Sequence, residues 1–219
     1  MKKLVIFGQG LYAEIVHQYF TDDSEYEVVA FTLDDEYIKE DTYLGLPLIP
    51  FSEIEEAYPP KDYFMHVGLS YTNLNHLREE RYYQAKEKGY ILPTYVSSKA
   101  TVLTKYPIGD NCFIFEDNTI QPFVKIGSNV ILWSGNHIGH HGEIESHNFI
   151  SSHVVISGQC LIKSNCFIGV NSTIAHGVTI EKENLIGASS YIAKNTEPKA
   201  VYVPPRSVKL EKTSDQFKL

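Results

Sequence analysis

The strongest constraint on the fold is a six-residue repeat of aliphatic residues that fills the second half of the chain. An isoleucine stands at nearly every sixth position from 108 to 192, Leu132 fills the one gap, and Val102 extends the series backward. A helix repeats every 3.6 residues and a strand every two, so neither produces this period. A parallel β-helix does, because each hexad forms one face of a coil and points its aliphatic residue inward. Three hexads then make one triangular coil.

A second inward position lies four residues after each isoleucine, where the side chain is small or slender. The three cysteines, Cys112, Cys160 and Cys166, all occupy this position. We therefore expect them to be buried packing residues and not reactive thiols. The chain has no CxxC pair, which argues against a structural zinc site.

The part of the chain before the repeat alternates between short apolar runs and helical stretches. Strands are predicted at 3–8, 26–35, 62–70 and 91–96. Helices are predicted at 12–20 and 71–90, with Leu74, Leu77 and Ala85 on one side of the second. This alternation predicts an α/β domain with a small parallel, Rossmann-like sheet.

Three segments follow from these patterns. They are a Rossmann-like domain over 1–97, a β-helix domain over 98–197, and a C-terminal cap or tail over 198–219. A β-helix leaves open strand edges at its ends. We expect the N-terminal domain to cover one end and the proline-containing segment 197–208 to cover the other.

Charge and hydropathy exclude several classes of protein. The formal net charge is −8, which argues against a basic surface for nucleic acid. The apolar run at residues 4–7 is too short for a signal peptide, and no stretch is long enough for a membrane span. These features predict a soluble, cytoplasmic protein.

Four sequence stretches together resemble a known family. They are VIFGQGLYAEIV at 5–16, FTLDD at 31–35, YVSSKATV at 95–102 and GHHGEI at 139–144. With the hexads, they resemble the hexapeptide-repeat sugar acetyltransferases, which include sialic acid O-acetyltransferase-like proteins and N-acetyltransferases of nucleotide-linked 4-amino sugars. The resemblance implies a left-handed β-helix, acetyl-CoA as cosubstrate, no metal, and a homotrimer with active sites between subunits.

The stretch NHIGHHGEI, residues 136–144, contains three of the nine histidines. Residues eighteen apart stack on successive coils, so His140 should lie over Gly158, with His176 one coil further along. A histidine beside a glycine N–H provides a base and an oxyanion donor, which acyl transfer needs. The resemblance implies the same roles: His140 as the general base, and the Gly158 amide at the acetyl carbonyl.

The neighbours of His140 leave alternatives open. Relatives carry an acidic residue directly after the base, where this chain has His141, so we expect either His141 or Glu143 to orient the ring, and favour Glu143. His137 and His153 are candidates for substrate contacts. Asn136 is a candidate substrate contact or part of a buried asparagine ladder with Asn118. A zinc site made by the histidines is a less favoured alternative.

Coenzyme A is expected, from the resemblance, in the groove between two β-helices. Small residues and backbone amides of the coil corners would hold it. The candidates are Gly158, Val170, Ala175, Gly187 and Ala188.

The N-terminal stretch GQGLYA fits the pattern G-x-G-x-x-A. Gly8 and Gly10 would let a phosphate approach the backbone at a helix N-terminus. The resemblance implies that this turn binds a nucleotide sugar, with Asp34 and Asp35 near the base. Tyr12 stands where relatives often carry a histidine.

The function expected from the sequence is transfer of an acetyl group from acetyl-CoA to the amino group of a nucleotide-linked 4-amino sugar, for cell-surface glycan synthesis. Three alternatives remain: O-acetylation of a sugar hydroxyl, a non-catalytic β-helix scaffold, and a metal-dependent hydratase.

Overall fold

The computed structural model describes residues 1–211 and 213–216. Its N-terminal part is a five-stranded sheet in the order β3-β4-β2-β1-β5. The strands are β1 (Lys2–Phe7), β2 (Tyr26–Leu33), β3 (Thr42–Tyr43), β4 (Leu46–Pro50) and β5 (Phe64–Val67). The helices are α1 (Leu11–Asp22), α2 (Ile54–Ala57) and α3 (His76–Glu87), with 3-10 turns at Asp35–Tyr37 and Ser214–Gln216.

The sheet differs from the predicted all-parallel sheet in three ways. Strands β3 and β4 were not predicted, and they pair antiparallel, so the sheet is mixed. The segment predicted as a last strand, 91–96, leaves this sheet, because Tyr95–Val96 pairs with Phe113–Ile114 in the β-helix.

Helix α3 is shorter than predicted because the three residues before it have positive φ angles. These are Asn73, Leu74 and Asn75, with φ of 51°, 49° and 69°. The buried side of α3 is formed by Arg78, Tyr82 and Ala85, while Leu74 and Leu77 are only half-buried. Of the three residues predicted for the apolar side of this helix, only Ala85 is therefore buried.

The second half of the chain is a left-handed parallel β-helix of two-residue strands on three faces. Face 1 contains Tyr95–Val96, Phe113–Ile114, Ile131–Leu132, Phe149–Ile150, Phe167–Ile168, Leu185–Ile186 and Val201–Tyr202. Face 2 contains Thr101–Val102, Thr119–Ile120, His137–Ile138, Val155–Ile156, Thr173–Ile174 and Tyr191–Ile192. Face 3 contains Lys125–Ile126, Glu143–Ile144, Leu161–Ile162 and Thr179–Ile180.

The predicted stacking is confirmed by the strand register: from Tyr95–Val96 to Tyr191–Ile192, each strand pairs with the one eighteen residues away. Ile138, for example, pairs with Ile120 and Ile156. The aliphatic residues of the repeat from Ile114 to Ile192 are buried in one core, whereas Ile108 is half-buried and Val102, at the start of the series, is exposed. The cysteines lie beside the core residues with at most 2% of their surface exposed. Burial raises the pKa of the Cys112 and Cys166 thiols to about 12. The expectation of unreactive packing cysteines is confirmed.

The corners between faces are set by residues with positive φ, which also recur every six positions. Corner A, between faces 3 and 1, contains Asn111, Asn129, His147, Asn165 and Glu183. Corner B, between faces 1 and 2, contains Asp117, Gly135, His153, Asn171 and Ser189. Corner C, between faces 2 and 3, contains Phe123, His141, Gln159 and Gly177. Asparagine, aspartate and glycine tolerate this conformation best, and they occupy seven of these fourteen corner positions.

The N-terminal part packs along the side of the β-helix and not over its end. Aromatic residues that point outward from face 1 form one core with the sheet, among them Phe113 and Phe149. The ring of Tyr71 contacts Phe149 and Phe167, with centroid distances of 4.9 and 5.1 Å. The expectation that this domain covers one end was therefore wrong.

The C-terminal segment continues face 1 at the far end. Val201–Tyr202 pairs with Leu185–Ile186, and Tyr202 packs against the β-helix core. Residues 212 and 217–219 of the predicted tail lie outside the described residues.

Candidate active site

The ring of His140 lies directly over Gly158. His140 follows the buried Ile138 of face 2 and precedes corner C. Its backbone N–H donates to Oε1 of Gln121, 2.9 Å away, on the preceding coil. A Cβ atom at Gly158 would lie 2.8 Å from His140 Nε2 and 2.9 Å from Cε1. Any other residue at 158 would push the ring aside, so the imidazole and the glycine form one site.

The backbone N–H of Gly158 donates to no acceptor among the described residues. A Cβ at Gly139, which precedes His140, would lie 2.4 Å from the Gly158 nitrogen. Gly139 therefore keeps a side chain away from this N–H, a role that the sequence analysis missed. The ring of His176 lies on the next coil, with its centroid 6.3 Å from that of His140. Two imidazoles thus stand on either side of Gly158.

The residue in contact with the His140 ring is His141. The two Nδ1 atoms are 3.1 Å apart, and the rings meet edge to face. Glu143 lies on face 3, where its carboxylate is 3.7 Å from Nζ of Lys125, and it makes no hydrogen bond with His140. The preference for Glu143 as the orienting group was therefore wrong, because its strand turns the carboxylate toward Lys125.

The remaining residues of the histidine stretch point to different places. His137 is half-buried on face 2, and His153 lies at corner B, where a Cβ at Gly135 would be 2.5 Å from its Nδ1. Asn136 has 1% of its surface exposed, accepts from the Val154 N–H at 2.7 Å and donates to the Trp133 carbonyl at 2.5 Å. Asn136 is thus a buried structural asparagine, and its predicted substrate contact is excluded by burial.

The candidate coenzyme A residues fall into two groups within one chain. Gly158 and Ala175 lie beside corner C, near His140, whereas Val170, Gly187 and Ala188 lie beside corner B. Face 2 separates the two corners. Its outward side chains carry no formal charge at neutral pH: Thr119, His137, Val155, Thr173 and Tyr191.

A cleft opens between the N-terminal sheet and face 1 of the β-helix. Strand β1 pairs in parallel with β2 on one side and with β5 on the other, so the order in which strands are added to the sheet switches sides between β1 and β5. Ligands of open α/β sheets bind at such a switch point. The cleft, of about 590 Å³, begins there at Gln9 and Gly68 and extends to Tyr12, Trp133 and Phe149.

The glycine turn shapes this cleft. Gly8 and Gly10, with φ of 138° and 97°, lie between the end of β1 and the start of α1. A Cβ at Gly8 would lie 2.7 Å from the Gly68 carbonyl oxygen, so glycine lets the two loops touch. The N–H of Gly10 donates to the hydroxyl of Tyr43 at 3.1 Å.

Two buried polar atoms belong to side chains that line the cleft. The Tyr12 hydroxyl and the Trp133 Nε1 have no hydrogen-bond partner within the described part of the chain. Burial raises the pKa of the Tyr12 hydroxyl above its usual range, so this group stays neutral and retains its proton. Trp133 was not predicted; its position beside the outward aromatic residues of face 1 was the available signal.

Asp34 and Asp35 are engaged elsewhere. The Asp34 carboxylate accepts from Nε and Nη2 of Arg81, both at 2.8 Å, and the Asp35 carboxylate accepts from the Ser52 hydroxyl at 2.5 Å. Both line a separate cleft of about 670 Å³, which also contains Glu55. The structure does not bring them to the cleft between the sheet and face 1, which we call the Tyr12 cleft, because α3 and the loop after β4 supply their partners.

Residues 1–211 and 213–216 contain no group of three or more histidine, cysteine, aspartate or glutamate side chains arranged to hold a metal ion. No helix among them has the length and apolarity needed to cross a membrane.

The hexads match a family model described as bacterial transferase hexapeptide (six repeats), over residues 108–140 and 159–194. These two stretches are similar to that family. No curated protein matches this chain in sequence.

Solved structures share the fold across almost the entire hexapeptide-repeat chain. The acetyltransferase domain of PglB from Neisseria gonorrhoeae FA1090 has a TM-score of 0.80 and 20% identity, covering 92% of this chain and 96% of that one. PerB from Caulobacter crescentus, in complex with CoA and GDP-perosamine, has a TM-score of 0.81 and 20% identity, covering 92% and 95%. WeeI from Acinetobacter baumannii AYE has a TM-score of 0.75 and 17% identity, covering 89% and 92%. The predicted fold, an α/β domain followed by a left-handed β-helix, is confirmed.

Proposed function

We propose that this chain transfers the acetyl group of acetyl-CoA to the amino group of a nucleotide-linked amino sugar. The observation that carries the proposal is the position of His140 Nε2 over Gly158, whose N–H has no acceptor among the described residues. Similar structures are described as complexes with acetyl coenzyme A, and with CoA and GDP-perosamine, which supports these two substrate classes.

The two groups would divide the chemistry between them. The amine nitrogen attacks the thioester carbonyl carbon and forms the new C–N bond, while His140 Nε2 takes the proton that the amine loses. The Gly158 N–H stabilises the negative charge on the carbonyl oxygen. The C–S bond then breaks, and the proton on His140 passes to the coenzyme A sulfur. The products are an N-acetylated sugar and free coenzyme A.

We further propose a homotrimer with its active sites between subunits. The Tyr12 cleft lies on face 1, whereas His140 lies beside corner C, the vertex opposite face 1. One chain therefore cannot bring an acceptor from its own cleft to its own base by a short path. A second copy whose corner C faces this chain's corner B would complete the site and join the two groups of coenzyme A candidates. A closed threefold assembly suits a triangular prism.

The placement of the nucleotide sugar follows from the same geometry. We place its nucleotide near Gly8, Gly10 and Tyr12, at the switch point of the sheet, with its amino group toward the partner's base. His137 and His153, on face 2 and at corner B, stay candidates for substrate contacts. The cytoplasmic location expected from the sequence remains part of this proposal.

The test is a thiol-release assay with acetyl-CoA and a panel of UDP-, dTDP- and GDP-linked 4-amino sugars, with free sialic acid included. We expect coenzyme A release with at least one nucleotide-linked amine. Release with sialic acid alone would favour the O-acetyltransferase alternative, and no release with any acceptor would favour the scaffold. Chelator treatment should leave the rate unchanged; loss of activity would point to the metal-dependent alternative.

The base is tested with His140→Ala. Loss of general-base catalysis should lower kcat by roughly 10²- to 10⁴-fold. Lys61→Ala, at an 80% exposed side chain of the N-terminal part that does not line the cleft with Tyr12, is the control and should retain wild-type turnover. Wild-type turnover in His140→Ala would overturn the assignment.

A further inference from the structure

We propose that His141, and not an acidic residue, fixes the His140 ring in the tautomer that proton abstraction requires. The inference rests on the proposed acetyl transfer and deepens it, by naming the positioning residue. The Nδ1 atoms of the two rings are 3.1 Å apart, a hydrogen-bond distance. One Nδ1 must carry a hydrogen and the other must not, because an imidazole nitrogen is a donor or an acceptor but never both.

The position of His140 decides which ring donates. Its Nε2 faces Gly158, where a Cβ would be only 2.8 Å away, and a base must hold a free electron pair on that nitrogen. The hydrogen of His140 is therefore on Nδ1 and is donated to Nδ1 of His141. His141 in turn carries its own hydrogen on Nε2. A neutral imidazole thus supplies the acceptor that a carboxylate usually supplies to a catalytic histidine.

No carboxylate in the described part of the chain is hydrogen-bonded to either ring. The nearest acid in sequence, Glu143, has its carboxylate 3.7 Å from Lys125 on face 3. The other imidazole near the site, His176, has its centroid 6.3 Å from that of His140, on the far side of Gly158. His141 is therefore the direct partner of His140 Nδ1.

The His141 ring is itself held from the coil behind it. Phe123 occupies the same corner one coil earlier, and its ring centroid is 4.6 Å from that of His141 at an interplanar angle of 33°. Both residues have positive φ, 66° and 56°. A bulky aromatic residue seldom adopts this conformation. The backbone of corner C therefore fixes the direction in which both side chains leave the coil. His140 is thus positioned at two points: its backbone N–H donates to Gln121, and its ring contacts His141.

Three substitutions at position 141 remove the imidazole ring while keeping the positive-φ backbone of the corner. Glycine, asparagine and glutamate are suitable because each already occupies another corner of this chain. Gly177 lies at corner C with φ 72°, Asn129 at corner A with φ 57°, and Glu183 at corner A with φ 58°. His141→Gly removes the acceptor without backbone strain. His141→Asn and His141→Glu replace it with a neutral and a charged acceptor.

We expect His141→Gly to lower kcat by about 10- to 100-fold, the usual effect of losing a partner that orients a working histidine. The KM for acetyl-CoA should stay within about twofold, because His141 does not contact the coenzyme in the proposed site. His141→Glu should recover turnover to within a few-fold of wild type, and His141→Asn should recover part of it. Lys199→Gly, a glycine placed at an exposed position with φ 61° outside corners B and C, is the matched control and should change neither constant.

A measurement that needs no turnover accompanies the kinetics. The ¹⁵N shifts of the His140 ring, recorded at about pH 8.5, should show a hydrogen on Nδ1 in the wild type and a mixed or Nε2-protonated ring in His141→Gly. A wild-type hydrogen on Nε2, or an active wild type whose kcat is unaffected by His141→Gly, would overturn the proposal. An enzyme that acetylates no acceptor would sink the proposed function instead, and the ring shifts would still decide the tautomer.

Discussion

At the scale of single residues, two glycines decide the form of the candidate site. Gly158 leaves space for the His140 ring, and Gly139 leaves space at the Gly158 nitrogen. Neither glycine has a positive φ, so each is required by a close approach and not by backbone conformation. A methyl group at Gly158 would therefore meet only the His140 ring and leave the coil intact, whereas one at Gly139 would lie 2.4 Å from the backbone nitrogen of Gly158 and force the two coils apart.

Gly158→Ala tests this conclusion. Its Cβ would lie 2.8, 2.9 and 3.2 Å from three atoms of the His140 ring, and the ring must move to relieve these contacts. A displacement of about 1 Å costs on the order of 10²-fold in rate, so kcat should fall by at least tenfold. The measurement is turnover in the thiol-release assay. Ser157→Ala, one residue earlier, is the control; equal rates for both variants would show that the contact does not position the ring.

His140 and Gly158 could be predicted from the sequence because a six-residue repeat fixes which residues stack. The same eighteen-residue spacing also pairs Glu143 with Lys125, a stacking that was not applied to Glu143 when its role was predicted. Asp34 and Asp35 lie outside the repeat, and no period relates them to their partners, Arg81 and Ser52, which come from other elements. The choice of those partners depends on how separate elements pack.

At the scale of elements, helix α3 is joined to corner A by a buried arginine. Arg78 has 1% of its surface exposed, and its guanidinium donates to Oδ1 of Asn129 at 3.2 Å and to the carbonyl oxygen of Asn148 at 3.1 Å. It also donates to the Ser70 carbonyl and to Oδ1 of Asn75. A buried charge must be fully hydrogen-bonded, and the carbonyl groups of the β-helix corner supply most of these acceptors.

We expect Arg78→Met to lower the free energy of unfolding by about 3 kcal/mol or more, because it leaves several buried acceptors without donors. Urea denaturation measures this change. Lys61→Met, at a side chain that is 80% exposed, is the control and should alter stability by less than about 0.5 kcal/mol. Equal midpoints for the two variants would contradict a role for Arg78 in holding the helix to the coil.

The β-helix could be predicted strand by strand, whereas in the N-terminal sheet only β1, β2 and β5 could be predicted. One inward residue per hexad specifies a coil, and the positive φ at every corner adds a second six-residue signal in residues such as Asn129 and Gly135. Strand β3 has two residues and carries no period that a sequence could show. Docking along face 1 depends on outward aromatic residues such as Phe113, which a β-helix alone does not need.

At the scale of the whole molecule, two buried histidines lie where the N-terminal part meets the β-helix. His66 packs between Phe20 and Phe113, and its Nδ1 is 3.1 Å from the Pro93 carbonyl oxygen. His147, at corner A, contacts Asn129 and faces α3. Burial lowers the pKa of each to about 4, although Glu79 opposes this effect at His147. Both rings are thus neutral in the folded protein at neutral pH.

Stability should therefore decrease as the pH falls from about 6.5 to 4. An unfolded histidine binds a proton near pH 6.5, whereas these folded ones do not until about pH 4, so the unfolded state binds more protons in this window. His66 alone would account for on the order of 3 kcal/mol by pH 4. Urea denaturation at pH 7, 5.5 and 4.5 measures the loss, and His66→Phe should flatten the dependence. Constant stability between pH 6.5 and 4.5 would contradict this account.

The three corners have a consequence for how the length of such a chain can change. Deleting or duplicating six residues would keep every isoleucine inward and every corner residue at a corner, so the prism would still close. Made between residues 140 and 158, such a change would nevertheless turn all later coils by one face and carry Gly158 away from His140, which pair only because eighteen residues separate them. The packing of the coil thus tolerates a change by any multiple of six residues, whereas the site requires a separation of eighteen residues between His140 and Gly158. A one-coil change outside 140–158 would lengthen or shorten the prism and leave that pair intact.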